Sequence, residues 1–226
     1  MITYKSQHDV APPDPVAPKA ILLADDHPII RGGLRLLVER EFPGCAVAEA
    51  SSGAQTRQWL RRRKWDLVVL DLNLPDCNGF ELLREIKTTS EVKVLVFSMY
   101  PETPFGIRAL RAGADGYVSK VSPEEELCAA LHAVIGGHRH VSPSLAETLA
   151  DWMSGGKRRF AHDELTDREF DVLVALAGGQ GPTEIAAKMN VSPKTISTLR
   201  RRVLRKLGLA TNADLVRYAL EHKLIV

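Results

Sequence analysis

Asp71 closes an apolar run, Asp66-Leu-Val-Val-Leu-Asp71, and a second acidic pair, Asp25-Asp26, closes an earlier one, Ala20-Ile-Leu-Leu-Ala24. If both runs are neighbouring strands of a parallel sheet, three carboxylates meet at one edge, and that much negative charge persists only with a cation between them. Ser98 and Lys120 follow two further runs of the same kind. The set has a chemical logic. A carboxylate can attack a phosphoryl donor to form an acyl phosphate, Mg²⁺ can shield the charge, and a hydroxyl and an ammonium can bind the incoming oxygens. Asp71 is then the nucleophile. Each residue also has a plainer use: Asp25 or Asp26 could cap a helix beginning at Pro28, Ser98 could simply end a strand, and Lys120 could be a solvated charge. Their joint position at strand ends argues against all the plain uses at once. His27 is expected at the surface or at a helix start, not as a ligand.

The elements that must position these groups are legible as alternation. Ala20 to Ala24, Ala46 to Ala50, Leu67 to Leu70, Lys93 to Phe97 and Gly116 to Ser119 are β-rich runs. Amphipathic stretches separate them near Ile29 to Phe42, Ala54 to Arg62, Gly79 to Thr88, Phe105 to Ala112 and Pro123 to Ile135. Five βα units imply a doubly wound, five-stranded parallel sheet covered by helices on both faces, with ligands bound outside the carboxyl ends of the strands. The last helix carries a start signal in Ser122 as N-cap, Pro123 at the first helical position and Glu125.

The chain has 226 residues and is 45% hydrophobic, enough for two domains with real cores. Periodicity fades from Gly136 to Asp163, where Gly-Gly pairs, Pro143 and the basic run Lys157 to Arg159 suggest a linker with one short helix around Ser144 to Met153. The expected division is a disordered Pro-dotted leader over 1–19, a first domain over 20–137, a linker over 138–162 and a smaller all-α domain over 163–226. Cys45, Cys77 and Cys128 stand too far apart for a zinc motif or a disulfide framework, and read as buried thiols in a reducing cytoplasm. No stretch reaches the length of a membrane span, and the N-terminus lacks the apolar centre of a signal peptide. Net charge is only +2, but the 13 basic and 8 acidic residues from Lys157 onward make that part +5, against 17 basic and 20 acidic before it. A basic C-terminal part suits a polyanion.

Past the linker, Leu165 to Ala177, Thr183 to Met189, Pro193 to Leu207 and Asn212 to Leu220 read as four short helices. Thr166 with Glu169 forms a capping box, and Ser192-Pro193 is a cap with a first-turn proline. On a helical wheel Ile196, Leu199, Val203 and Leu207 share one face of the third helix, while Lys194, Thr198, Arg201 and Arg205 cluster opposite. Preceded by a short helix and a tight turn through Asn190 and Val191, that helix suits a DNA major groove; a solvated amphipathic helix is the alternative.

Two resemblances sharpen these readings. From Ala20 to Gly137 the chain resembles the receiver domain of two-component response regulators, through the acidic pair, Leu70-Asp71-Leu-Asn-Leu-Pro75 with Gly79 after it, Ser98, Tyr117 and Lys120. The resemblance implies a flavodoxin-like fold in which Asp71 is the phosphoacceptor. It implies Asp26 as a direct Mg²⁺ ligand, Asp25 as a ligand through water, and Asn73 as donor of a backbone carbonyl to the metal. Ser98 and Lys120 become the phosphoryl-sensing pair, and Tyr117 the aromatic rotor that moves inward on activation. From Leu165 to Leu224 the chain resembles the LuxR-type helix-turn-helix, through Leu165-Thr166-x-Arg168-Glu169, Glu184-Ile185-Ala186-Ala187, Val191-Ser192-x-Lys194-Thr195-Ile196 and Arg205-Lys206-Leu207-Gly208. Ser197, Thr198 and Arg201 then resemble base-facing residues, and Lys194, Thr195 and Arg205 phosphate contacts. Gly178 to Pro182 makes the loop before the scaffold helix unusually Gly-rich, which is expected to loosen it. Together the two parts resemble the NarL/FixJ family. That implies a cytoplasmic transcription regulator, phosphorylated by a sensor histidine kinase, that binds double-stranded operator DNA as a homodimer and is not an enzyme. Haloacid dehalogenase-type hydrolases also use an aspartyl phosphate, but they need a second Asp two positions on, where this chain has Asn73. An interaction protein whose C-terminal helices dock another protein is the remaining alternative.

Overall fold

The computed structural model describes residues 18–153 and 160–225, the side chains of 151–153 excepted. Most of the expected leader and the basic run at 157–159 therefore lie outside the described residues. Five strands, β1 (Ala20–Ala24), β2 (Ala46–Ala50), β3 (Leu67–Leu70), β4 (Lys93–Ser98) and β5 (Gly116–Ser119), form one parallel sheet in the order β2-β1-β3-β4-β5. The central strands are apolar throughout because both their faces are covered. Ile21, Leu23 and Val69 point to α1 (Pro28–Glu41) and α5 (Glu124–Ile135), where Leu37, Val38 and Leu131 meet them. Leu22, Val68 and Val96 face the opposite layer, α2 (Gly53–Arg62), α3 (Gly79–Thr89) and α4 (Glu102–Arg111), which supplies Phe80, Leu83 and Phe105.

The local rules decide most boundaries. Ser52 and Asn78 cap α2 and α3, each side chain accepting from the N–H three residues on. The cap expected at Ser122 is not made. The turn leaving β5, closed by the Ser122 N–H on Ser119 O, takes in Ser122, and the helix starts one residue later, with Pro123, which has no side-chain acceptor, at the cap position. Glu124, Glu125 and Glu126 instead complement the positive end of α5. The helix expected from Phe105 begins earlier, at Glu102, with a non-helical kink at Thr103. The three cysteines are half-buried, not buried, and the most enclosed, Cys77, is pushed up to about 11 by burial, so its thiol is inert.

Of the expected linker, α6 (Pro143–Met153) is folded onto α4, with Leu145 buried against Gly106. A 3-10 turn at Ala161–Glu164 packs against the helices that follow. These are α7 (Asp167–Ala177), α8 (Pro182–Lys188), α9 (Pro193–Leu207) and α10 (Asn212–Glu221). Thr166 and Glu169 make the expected capping box, Ser192 caps α9, and Asn190 turns the chain with a φ of 54°. The Gly-rich loop is ordered: Gly179, at a φ of 84°, and Gln180 close α7 through bonds to Leu176 O and Ala175 O.

Candidate functional site

The pairing of β1 with β3 decides the acidic edge. Ala24 lies beside Leu70, and the ladder runs one residue further, with the Asp71 N–H donating to Ala24 O and the Asp25 N–H to Ala50 O. Both carboxylates are therefore fixed side by side, each 2% exposed. Lys120 is fixed in turn by its N–H on Ser98 O, and its Nζ lies 2.6 Å from Asp25 Oδ2 and 2.7 Å from Asp71 Oδ2. One ammonium faces three carboxylates, since Asp26 stands at the rim. Ligand atoms of Asp25, Asp26, His27 and Asp71 all lie within 4.8 Å of one another. Neither Asp caps α1, whose N-cap is His27. His27 stands exposed at the start of α1, as expected, and its ring also reaches the acids: its Nδ1 is 3.1 Å from Asp25 and 2.8 Å from Asp26, because the Asp25 side chain folds the chain back onto the His27 N–H.

A donor set dominated by carboxylate oxygen suits a hard divalent cation such as Mg²⁺. The buried Ser98 hydroxyl has no hydrogen-bond partner among the described residues, a capacity that an incoming phosphoryl oxygen would satisfy. The residues thus fit both groups. Gly79 belongs to the same construction: a Cβ there would collide with the Leu72 backbone, so only glycine lets α3 start against the acceptor loop. Tyr117 is fully buried, and its hydroxyl donates to Tyr100 O at 2.7 Å. Burial first, then Asp71, raises that phenol well above its usual range.

Two features escaped the sequence reading. The first is that α7 and α8 dock on the sheet domain beside the acidic edge. Arg108 of α4 is buried; it donates to His162 O, Leu165 O and Asp167, and lies 4.0 Å over the Phe170 ring, burial lowering it to about 10. Phe105 packs edge-on against Phe170, Arg84 pairs with Asp167, Arg168 with Glu81, and Asn78 with Asp171. A cavity of about 390 Å³ remains between Leu74, Phe80, Met99, Asp171, Ile185 and Lys188. A signal existed: Phe170, Val172, Leu173, Val174, Leu176 and Ala177 are apolar around most of α7, too wide a face for one neighbour. The second is that Lys188 Nζ donates to Asn73 Oδ1 at 2.6 Å, two residues from Asp71.

The docked arrangement leaves α9 open. Ile196, Leu199 and Val203 are buried as the wheel requires, with Leu204 beside them and Leu207 half-buried. Lys194, Thr195, Ser197, Arg201 and Arg205 are exposed and Thr198 is half-buried; the three cations carry no ion pair among the described residues. The hydroxyls of Ser197 and Thr198 are engaged with Pro193 O and Lys194 O. Arg202, which the wheel did not select, lines the same shallow concavity as Lys194 and Thr198.

Comparisons with known proteins agree with this geometry. Residues 21–132 match the response regulator receiver domain, and residues 163–219 the bacterial regulatory proteins of the luxR family. The response regulator UvrY of Escherichia coli K12 is 31% identical over 206 residues, 90% of this chain and 94% of its own. The response regulator GacA of Pseudomonas aeruginosa is 31% identical over 208 residues, 91% and 97% of the two chains. Among solved structures, RcsB of Salmonella enterica serovar Typhimurium, bound to promoter rprA with the phosphomimetic BeF3−, superposes with a TM-score of 0.66. Its identity is 27%, covering 88% of this chain and 98% of that one.

Proposed function

The chain belongs to the NarL/FixJ family of two-component response regulators, and on that premise we propose how its own residues carry the family's function, transcription control by phosphorylation. Asp71 takes the phosphoryl group. One of its carboxylate oxygens attacks phosphorus, the bond to the donor breaks, and the donor, the phosphohistidine of a sensor kinase, leaves as neutral imidazole after gaining a proton. Asp26, Asp71 and the Asn73 carbonyl, with Asp25 through water, would hold Mg²⁺, which would supply charge neutralisation at the transferring group. Lys120 leaves its bridge between Asp25 and Asp71 to bind a phosphoryl oxygen, and the unpartnered Ser98 hydroxyl binds another. The observation that carries the reading is that buried bridge at 2.6 and 2.7 Å beside the orphaned hydroxyl, a site with charge and donors unspent.

Engagement of Ser98 and Lys120 must favour one of two packings to matter. The contacts that would report it run from Tyr117 to Tyr100 O, through Tyr100 stacked 4.2 Å on Phe105, to Phe170 in the docked helices. α9 reads operator DNA, with Arg201, Thr198 and Ser197 toward base edges and Lys194, Thr195 and Arg205 toward phosphates, as two copies on two half-sites. The luxR-type DNA-binding part supports action in the cytoplasm, where its DNA lies. Its family is one of regulators, not enzymes. Acetyl phosphate with Mg²⁺ should label the chain once, on Asp71, and Asp71→Asn should take no label. Mass spectrometry finding the group elsewhere, or undiminished labelling of the variant, rejects the assignment.

A further inference from the structure

We propose that Lys188, at the end of α8, is a positioning residue of the phosphoacceptor loop, so that Mg²⁺ binding at the acidic edge and docking of the DNA-binding helices oppose each other. The inference rests on the phosphoacceptor reading of Asp71 and adds a residue from the other half of the molecule to that site.

The geometry points to it in two steps. Asn73 is held at both ends: its backbone N–H donates to Asp71 Oδ1 at 3.1 Å, and its side-chain oxygen accepts from Lys188 Nζ at 2.6 Å. The loop that presents the acceptor is thereby tied to α8 through one amide. The tie is also a choice. Lys188 is half-buried and lines the same cavity as Asp171, yet its ammonium makes no carboxylate pair among the described residues and spends its short bond on Asn73.

Charge gives the tie a direction. Asp25, Asp26 and Asp71 against Lys120 leave the edge strongly negative, which is what attracts a divalent cation. In the docked arrangement Lys188 adds a second fixed cation to that neighbourhood, and a divalent ion approaching the acceptor loop meets a weaker field. The same bond restrains the loop whose carbonyl is needed as a ligand. By linkage, a contact that weakens Mg²⁺ binding in the docked form must itself be weakened once Mg²⁺ is bound. The metal needed for phosphorylation then begins to loosen the docked helices before any phosphoryl group arrives.

The experiment is a MgCl2 titration of the full unphosphorylated chain, followed by the amide NMR shifts of residues 71–73, with no turnover involved. Lys188→Gln should lower the Mg²⁺ dissociation constant about threefold to tenfold, and the difference should shrink as salt rises. Lys188→Arg, which keeps the charge, should restore most of it. Lys223→Gln removes the same charge from an exposed C-terminal position and should match the parent. Equal dissociation constants for parent and Lys188→Gln, the same drop in Lys223→Gln, or no difference between the Gln and Arg variants would each overturn the role of Lys188 alone. A parent chain that binds no Mg²⁺ at this loop would remove the phosphoacceptor reading as well, so the two failures are distinct.

Discussion

Docking of the DNA-binding helices should loosen as pH rises, through Asp171. Its carboxyl sits in the seam between α7 and the start of α3, bonded to Asn78, and burial moves it from 3.8 to about 7. Of the charged groups around it, Arg108 and Arg84 across the seam and Lys188 on α8 pull it down, while Glu81 pushes it up; burial outweighs them. Separation of the two halves returns Asp171 to water and to its ordinary value. An acid raised in the docked form binds a proton there that it releases on separation. Docking is therefore independent of pH below about 4, weakens by one proton per molecule between about 4 and 7, and levels off above. A shift of about 3 units amounts to about 4 kcal/mol in all, of which roughly 2 to 3 kcal/mol, about a hundredfold in the docking equilibrium, falls between pH 5 and 7. His162, lowered to about 4, runs the other way in the part of its shift that comes from Arg108 across the seam, but its largest causes, burial and then His222, lie within its own helical domain with Tyr218 and Phe160, so Asp171 sets the direction. Small-angle X-ray scattering should show a compact particle at pH 5 and a more extended one at pH 8. Asp171→Asn, which cannot ionise, should flatten the profile at its compact end. A docked fraction that grows from pH 5 to 8, or an unchanged profile in Asp171→Asn, refutes the reasoning.

Arg108→Ala should open the docked form outright, since it strips three charge-assisted bonds and leaves the Leu165 carbonyl without its donor and Asp167 without one of its two cations in the seam, about 3 to 5 kcal/mol, read by the same scattering measurement. Asp26→Ala should abolish Mg²⁺-dependent labelling while apo stability holds or rises, because one of three crowded carboxylates is gone; a lower apo melting temperature would contradict this. On α9, Lys194→Ala should weaken operator and random DNA equally and reduce the salt slope by about one, whereas Arg201→Ala should cost roughly 1 to 3 kcal/mol on the operator selectively. Equal losses for Arg201→Ala on both DNAs would reject base reading by that residue.

What the sequence determined by itself was everything set within a few residues. The run Leu67 to Leu70 is apolar on both pleats, so it had to be a covered strand with Asp71 at its mouth. Thr166 with Glu169, Ser192 with Pro193, and the wheel of Ile196, Leu199 and Val203 likewise fixed α7 and α9 from neighbours in the chain. The failure at Ser122 shows where that reach ends, since a tight turn after β5 takes in that serine and moves the start of α5 one residue on. Tertiary structure decided which strand ends became neighbours: β1 pairing with β3 set Asp25 against Asp71, and Lys120 arrived from the far edge of the sheet. It alone decided that α7 and α8 dock beside the acceptor loop, that His27 joins the acidic cluster, and that Lys188 reaches Asn73 across 115 residues. Helix and strand periodicity record only which face of an element is buried. Which distant surface buries it depends on shape and charge matched between segments that leave no mark on each other's local pattern, and so appears only once the chain is folded.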